Sequence, residues 1–170
     1  MQKVSLVTVT DTVLSQLVEA AVHGAKPDEV TPPLEDDPQW TPGRVAWLRD
    51  YHQTRRDGLD GAHRERTYAI AVTTSPEMQA IAGAVRMART GLDNRVLEIG
   101  IWLARPFRGQ GVAAAATRLL LDNIARNALA DVVTATTTSS NAGALALLRT
   151  LGFSHSRIGR NGVRAELRLR

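Results

Sequence analysis

The chain has 170 residues and a mass of 18.4 kDa, with 44% hydrophobic and 22% charged residues, a size and balance expected of one globular domain over residues 1–170. With no cysteine in the chain, disulfide scaffolds, thiolate metal sites and a cysteine acyl-enzyme are excluded. Lys and Arg number 21 against 17 Asp and Glu, but the surplus is uneven: 11 basic and 13 acidic residues lie up to Arg95, then 10 basic and 4 acidic from Val96 onward. No apolar run approaches the roughly 18 residues of a membrane span, so a cytoplasmic protein without a membrane partner is expected.

In chain order, Val4 to Thr10 reads as a strand, and Thr10 or Asp11 caps a helix with Leu14, Leu17, Val18 and Ala21 on one face before Gly24. Four prolines between Lys26 and Pro42 predict a long loop, which also carries Asp28, Glu29, Glu35, Asp36 and Asp37. Thr41-Pro42 starts a second helix with Val45, Leu48, Tyr51 and Arg55 along one stripe, ended by Asp57-Gly58 and Asp60-Gly61. Arg66 to Thr73, Ala80 to Ala88 and Val96 to Leu103 are predicted strands, and their short turns imply antiparallel pairing. Gly111 to Ala130 reads as a helix, Asp131 to Thr138 as a strand, and Asn141 to Leu151 as a helix stopped by Gly152. Phe153 to Arg160 and Val163 to Leu169 flank Asn161-Gly162, the preferred pair of a type I′ hairpin. The order β-α-α-β-β-β-α-β-α-β-β calls for a mixed sheet in which parallel and antiparallel pairs coexist.

The chemistry concentrates in Glu98-Ile99-Gly100-Ile101-Trp102-Leu103-Ala104-Arg105-Pro106-Phe107-Arg108-Gly109-Gln110-Gly111-Val112-Ala113. A strand passes through a proline turn and two glycines directly into a long helix, whose first amides lack partners, so the turn suits an anion such as phosphate. The P-loop and dinucleotide-binding glycine patterns are both absent.

Arg108-Gly109-Gln110-Gly111-Val112-Ala113 resembles the pyrophosphate turn of the GNAT superfamily of acetyl-CoA-dependent N-acetyltransferases, Gln/Arg-x-x-Gly-x-Gly/Ala. The Glu-Ile-Gly-Ile-Trp-Leu lead-in and Asn141 followed by Leu-Gly-Phe at 151–153 are also similar, most of all to the branch holding ribosomal-protein N-terminal acetyltransferases. The resemblance covers roughly residues 70–169. It implies an α+β fold (a mixed α/β layering): a mostly antiparallel sheet of six to seven strands, about four flanking helices, and a splay between the fourth and fifth strands. It further implies that Arg108, Gly109, Gln110, Gly111, Val112 and Ala113 hold the pyrophosphate of acetyl-CoA. Ile101, Trp102 and Leu103 would pair with the pantetheine arm, Asn141 would contact it, and an amide near Leu103 would polarise the thioester carbonyl.

An attacking amine must be neutral, and Glu98 is the expected base, since strand alternation puts it on one face with Gly100 and Trp102. The tyrosine acid frequent in the family falls at Leu148 and is missing. The expected partner is a small-molecule amine, with a homodimer allowed. Glu35, Asp36, Asp37 and Trp40 are the candidate acceptor contacts, because carboxylates would draw a polycation such as an aminoglycoside-type antibiotic. A protein N-terminus is the alternative acceptor. The four histidines show no metal-ligand spacing, so no metal is expected. A nucleic-acid-binding module is disfavoured by an aromatic content of 4% with no basic stretch interleaved by rings.

Overall fold

A computed structural model describes residues 2–169. The elements are β1 (Lys3–Thr8), α1 (Asp11–Gly24), α2 (Pro27–Val30), α3 (Pro42–Thr54), β2 (Glu65–Ser75), β3 (Met78–Ala88), β4 (Val96–Leu103), α4 (Val112–Arg126), β5 (Val132–Thr138), α5 (Ala142–Thr150), β6 (Ser154–Ile158) and β7 (Gly162–Arg168). Seven strands form one sheet in the order β1-β2-β3-β4-β5-β7-β6. Among the described residues, β4 with β5 is the parallel pair and the remaining pairs are antiparallel.

Strand alternation separates two cores. On one face Leu14, Leu17, Val18 and Ala21 of α1 and Leu48 of α3 pack over Ala69 and Ala84. On the other, Val112, Ala116, Leu120 and Ile124 of α4 and Leu148 of α5 cover Ile70, Val72, Val85, Leu97 and Ile99. Leu17 and Leu120 are each 0% exposed, and a leucine so buried contributes about 2 kcal/mol of transfer free energy.

The sequence boundaries shift where a cap or turn claims a residue. β1 ends at Thr8 rather than Thr10 because the Thr10 side chain accepts from the Val13 amide and caps α1. The predicted loop at 26–42 contains the one-turn helix α2: Pro27 stands at its start, and the Lys26 amide donates to Glu29 Oε2 at 2.8 Å. This helix brings the number of α-helices among the described residues to five. α4 stops at Arg126, short of Ala130, where Ala128 takes φ 48° and the Leu129 amide donates to the Ile124 carbonyl. The last hairpin departs from the expected Asn161-Gly162 turn. Ile158 pairs with Gly162, so residues 159–161 form the link, and its left-handed position is Gly159 with φ 58°.

Candidate active site

β4 and β5 separate within the sheet. Their pairing runs only from Val96 with Val132 to Glu98 with Thr134. Beyond it, β4 follows β3 as far as Gly83 with Leu103, while β5 follows β7 as far as Thr138 with Gly162. Residues 99–103 therefore have one edge unpaired, with alternate amides and carbonyls turned to the gap. Gly83 keeps β3 close to this segment, since a Cβ there would lie 2.1 Å from the Trp102 carbonyl oxygen.

At the end of β4 the chain makes a 3-10 turn at Arg105–Phe107 and enters α4 through two left-handed glycines, Gly109 at φ 71° and Gly111 at φ 77°. A Cβ on either would meet nothing within 4 Å. The Ala115 amide closes on the Gly111 carbonyl, leaving the amides of Val112, Ala113 and Ala114 directed out of the helix end. Ile101 to Leu103, Arg108, Gly109, Gly111 to Ala113 and Asn141 line one groove of about 770 Å³. Gln110 is outside the wall, its side chain donating to the Pro106 carbonyl at 2.6 Å. Asn141 Oδ1 caps α5 by accepting from the Ala144 amide at 3.0 Å. Leu148 is 5% exposed, a core residue.

On the α3 side of the sheet a second cavity, about 280 Å³, is bounded by Glu29, Trp47, Tyr51, His52, Arg86 and the β4 residues Gly100 to Trp102. A third, about 180 Å³, occupies the gap beside Ile99 to Ile101, Thr136 and Asn141. Ile101 borders all three cavities. The unpaired stretch of β4 is thus the wall they share.

Behind the α3-side cavity lies a polar chain that sequence reasoning missed. Tyr51 donates to Glu65 Oε1, Arg55 Nε donates to Glu65 Oε2 at 3.4 Å, and Arg86 Nη2 donates to Glu98 Oε1 at 2.5 Å. Arg86 Nη1 also lies 4.0 Å from Glu65. The Arg86 side chain crosses Gly100, where a Cβ would stand 2.9 Å from its Nε. Consequently Arg86, and not Glu98, forms the cavity wall. Burial and the neighbouring Glu65 carboxylate push the Tyr51 hydroxyl well above its ordinary range. Burial opposes the charge on Arg86, but the bond to Glu98 and the surrounding acids outweigh it and raise its pKa. His52, 2% exposed, has Nδ1 at 2.9 Å from Thr67 Oγ1, and its pKa falls to about 4 through burial, then through Arg55 and Arg56. Two signals for this cluster were present in the sequence: a lone arginine in the apolar strand around Arg86, and Tyr51 with Arg55 four residues apart on an otherwise apolar stripe.

The acidic run divides. Asp28 bonds to Arg44 at 2.9 Å and Glu29 to Arg108 at 3.0 Å. Burial of Glu29 opposes its ionisation, but the Arg108 bond, the largest influence, holds its carboxyl below the usual range. Glu35, Asp36 and Asp37 lie on the exposed loop and outside the walls of the three cavities. Trp40 packs against the α1 core with its indole N–H on the Ala25 carbonyl at 2.9 Å. Among the described residues, no cluster of His, Cys, Asp or Glu suits a metal ion, and no helix is long and apolar enough to cross a membrane.

The family model described as the Acetyltransferase (GNAT) domain matches residues 20–154, and the chain belongs to this family. It is an acyltransferase that uses acetyl-CoA as co-substrate. RimL, a ribosomal L7/L12 alpha-N-protein acetyltransferase in complex with coenzyme A, is 16% identical with TM-score 0.75 over 98% of this chain and 94% of that chain. A Salmonella typhimurium acetyltransferase that modifies the N-terminal serine of 50S ribosomal subunit protein L7/L12 is 15% identical, TM-score 0.74, covering 98% of this chain and 95% of that one. The microcin C7 self-immunity acetyltransferase MccE, in complex with acetyl-CoA and AMP, is 14% identical with TM-score 0.70 over 98% and 93%. At these identities the likeness carries the fold. No curated protein matches.

Proposed function

We propose that the chain transfers acetyl directly from acetyl-CoA to a primary amine of a small cationic acceptor, acting as one cytoplasmic domain. The observation that carries this reading is the shared wall at Ile101 and Trp102: a groove opening onto a helix end meets a separate cavity across an unpaired strand edge. In this reading the amides of Gly109 to Ala113 take the pyrophosphate and the free edge of Ile101 to Leu103 pairs with the pantetheine arm, placing the thioester in the gap. The amine approaches through the α3-side cavity. Its nitrogen lone pair attacks the thioester carbon, the C–N bond forms, the C–S bond breaks, and the thiolate leaves with the electron pair. A backbone N–H near Leu103 stabilises the developing oxyanion. Glu98 receives the amine proton through a water, because Arg86 stands between it and the cavity. With leucine at 148, solvent protonates the thiolate.

For the acceptor, the rings of Trp47 and Trp102 in the cavity wall suit a cation, while the Tyr51 ring is already engaged, stacked on Trp47 with centroids 5.0 Å apart and covered by the Arg55 guanidinium at 4.1 Å. Asp36 and Asp37 are exposed acidic groups on the loop leading into α3. Aminoglycoside-type antibiotics are the class proposed. The second reading is a protein or peptide N-terminus, favoured by the small volume of about 280 Å³, which admits only one end of an acceptor. The test follows CoA release from acetyl-CoA with aminoglycosides, polyamines and short peptides at low and high salt, using Asp36→Asn/Asp37→Asn beside the parent. Turnover of aminoglycosides that falls in the double variant supports the first reading. Turnover of peptides alone, indifferent to salt and to that variant, establishes the second. Gly111→Asp puts a carboxylate into the space before the helix end and is expected to abolish CoA release with every amine.

A further inference from the structure

Arg108 opens the glycine turn, yet its side chain is committed elsewhere. Nε donates to the Leu103 carbonyl at 2.9 Å, while Nη1 and Nη2 reach Glu29 Oε1 and Oε2 at 3.3 and 3.0 Å, a two-pronged contact across 79 residues of sequence. Glu29 borders both the groove and the α3-side cavity, and its Oε2 also accepts from the Lys26 amide. The next residue back, Asp28, holds Arg44 of α3. That guanidinium, 1% exposed, also donates to Thr31 Oγ1 at 3.2 Å and to the carbonyls of Glu35 and Asp37 at 3.1 and 2.9 Å. A continuous series of hydrogen bonds therefore runs from the glycine turn, through the single turn of α2, to loop 31–37 and to the helix that carries Trp47 and Tyr51.

We propose that Glu29 and Arg108 are positioning residues that seat the acceptor-side loop, residues 26–41, on the cofactor turn, so that filling the turn is felt at the loop. The proposal rests on the reading that residues 108–113 hold the pyrophosphate. Its physical basis is the saturation of the Arg108 fork. With Nε on the end of β4 and both terminal nitrogens on Glu29, the side chain ties three elements together, and the turn amides remain for the anion. A dianionic group arriving at those amides changes the field at the Glu29 carboxylate directly, because the two share one groove wall. A shift of Glu29 moves α2, and Asp28 and Arg44 pass it to the loop.

The experiment is amide hydrogen exchange of residues 31–39 with and without CoA, paired with calorimetry of CoA, for the parent, Glu29→Ala, Arg108→Ala and the double variant. In the free protein each single variant is expected to speed loop exchange by about three- to fivefold, the scale of a half-exposed ion pair, with the double variant well short of the product of the two, because the shared bond is lost only once. In the parent CoA alters loop exchange. In Glu29→Ala it binds at least as tightly, since an acid beside the anion is gone, but the loop no longer responds. A loop that responds to CoA in Glu29→Ala as it does in the parent overturns the proposal, even when its free exchange is faster, for the pair is then only structural. Additive effects of the two single variants overturn it as well. A parent that fails to bind CoA removes the turn assignment and the proposal together.

Discussion

In the proposed mechanism the Glu98–Arg86 contact bears directly on how the proton leaves the amine. A carboxylate at 2.5 Å from a guanidinium, with its side chain 25% exposed, keeps one oxygen engaged and offers the other to a water. Glu98→Gln retains the shape and removes the basicity, so turnover should fall most where the amine is protonated and least where solvent has already deprotonated it. A pH–rate profile of the variant that overlays the parent's would make the pair structural. His52 gives a second residue-level expectation. Its folded pKa of about 4 lies below the unfolded value of about 6.5, so on acidification the unfolded chain binds the proton first and stability drops as pH falls from about 6.5 towards 4. The full difference is on the order of 3 kcal/mol, and His52→Asn, which keeps a polar atom near Thr67, should flatten that part of the curve. Thermal melts across this window, compared between the two proteins, measure the effect; parallel curves would assign the acid sensitivity to other groups.

At the level of elements, the gap between β4 and β5 depends on β3 holding β4 from the other side. β3 carries an irregularity where Ile70 faces Gly83 and Ala71 faces Ile81, so Ala82 is extra in the ladder. The Ala82 carbonyl then accepts from the Ala104 amide at 2.8 Å, anchoring the end of β4. Gly83→Ala would force its Cβ against the Trp102 carbonyl, and rigid backbone on both sides cannot yield cheaply. The expected cost is about 2 kcal/mol of stability together with weaker CoA binding, read by denaturant unfolding and calorimetry. Unchanged CoA affinity would show that the unpaired edge tolerates displacement. The same elements show what the sequence makes legible. Periodicity and turn residues locate the strands, α1, α3 and the glycine turn to within a few residues, because those signals are local. The α3-side cluster is not legible in this way, since Arg86 meets Glu98 only once the register of β3 on β4 is set, and Tyr51 meets Glu65 only once α3 has been laid over the sheet. Glycine chemistry misleads at 161–162 for a related reason: Gly159 competes for the left-handed position, and the register of β6 on β7 decides between them.

Over the whole molecule, the charge split along the chain does not map onto a cationic cradle for the cofactor. Among the described basic residues from Val96 onward, Arg108 alone lines the groove, and its guanidinium is bonded to Glu29. Arg149, Arg157, Arg160, Arg164 and Arg168 are exposed on α5, the last hairpin and its loop. Arg164 and Arg168 alternate in β7 with Ala165 and Leu167, which pack into the α4 core, so the two arginines project from the opposite side of the sheet. In the proposed reading an anion at the glycine turn is therefore held by backbone amides and the positive end of α4, which act at short range, with little help from the distant arginines. CoA affinity is accordingly expected to depend weakly on salt. Between about 0.05 and 0.5 M, where the Debye length shrinks from roughly 14 to 4 Å, Kd should rise by no more than about threefold. Calorimetric titration of CoA across that range decides the matter. A loss of tenfold or more would mean that the arginine-rich face reaches the cofactor through the field of the whole protein. Replacing Arg164 and Arg168 with glutamine should then reproduce the loss at low salt; if affinity is short-ranged, the same double variant binds CoA as the parent does.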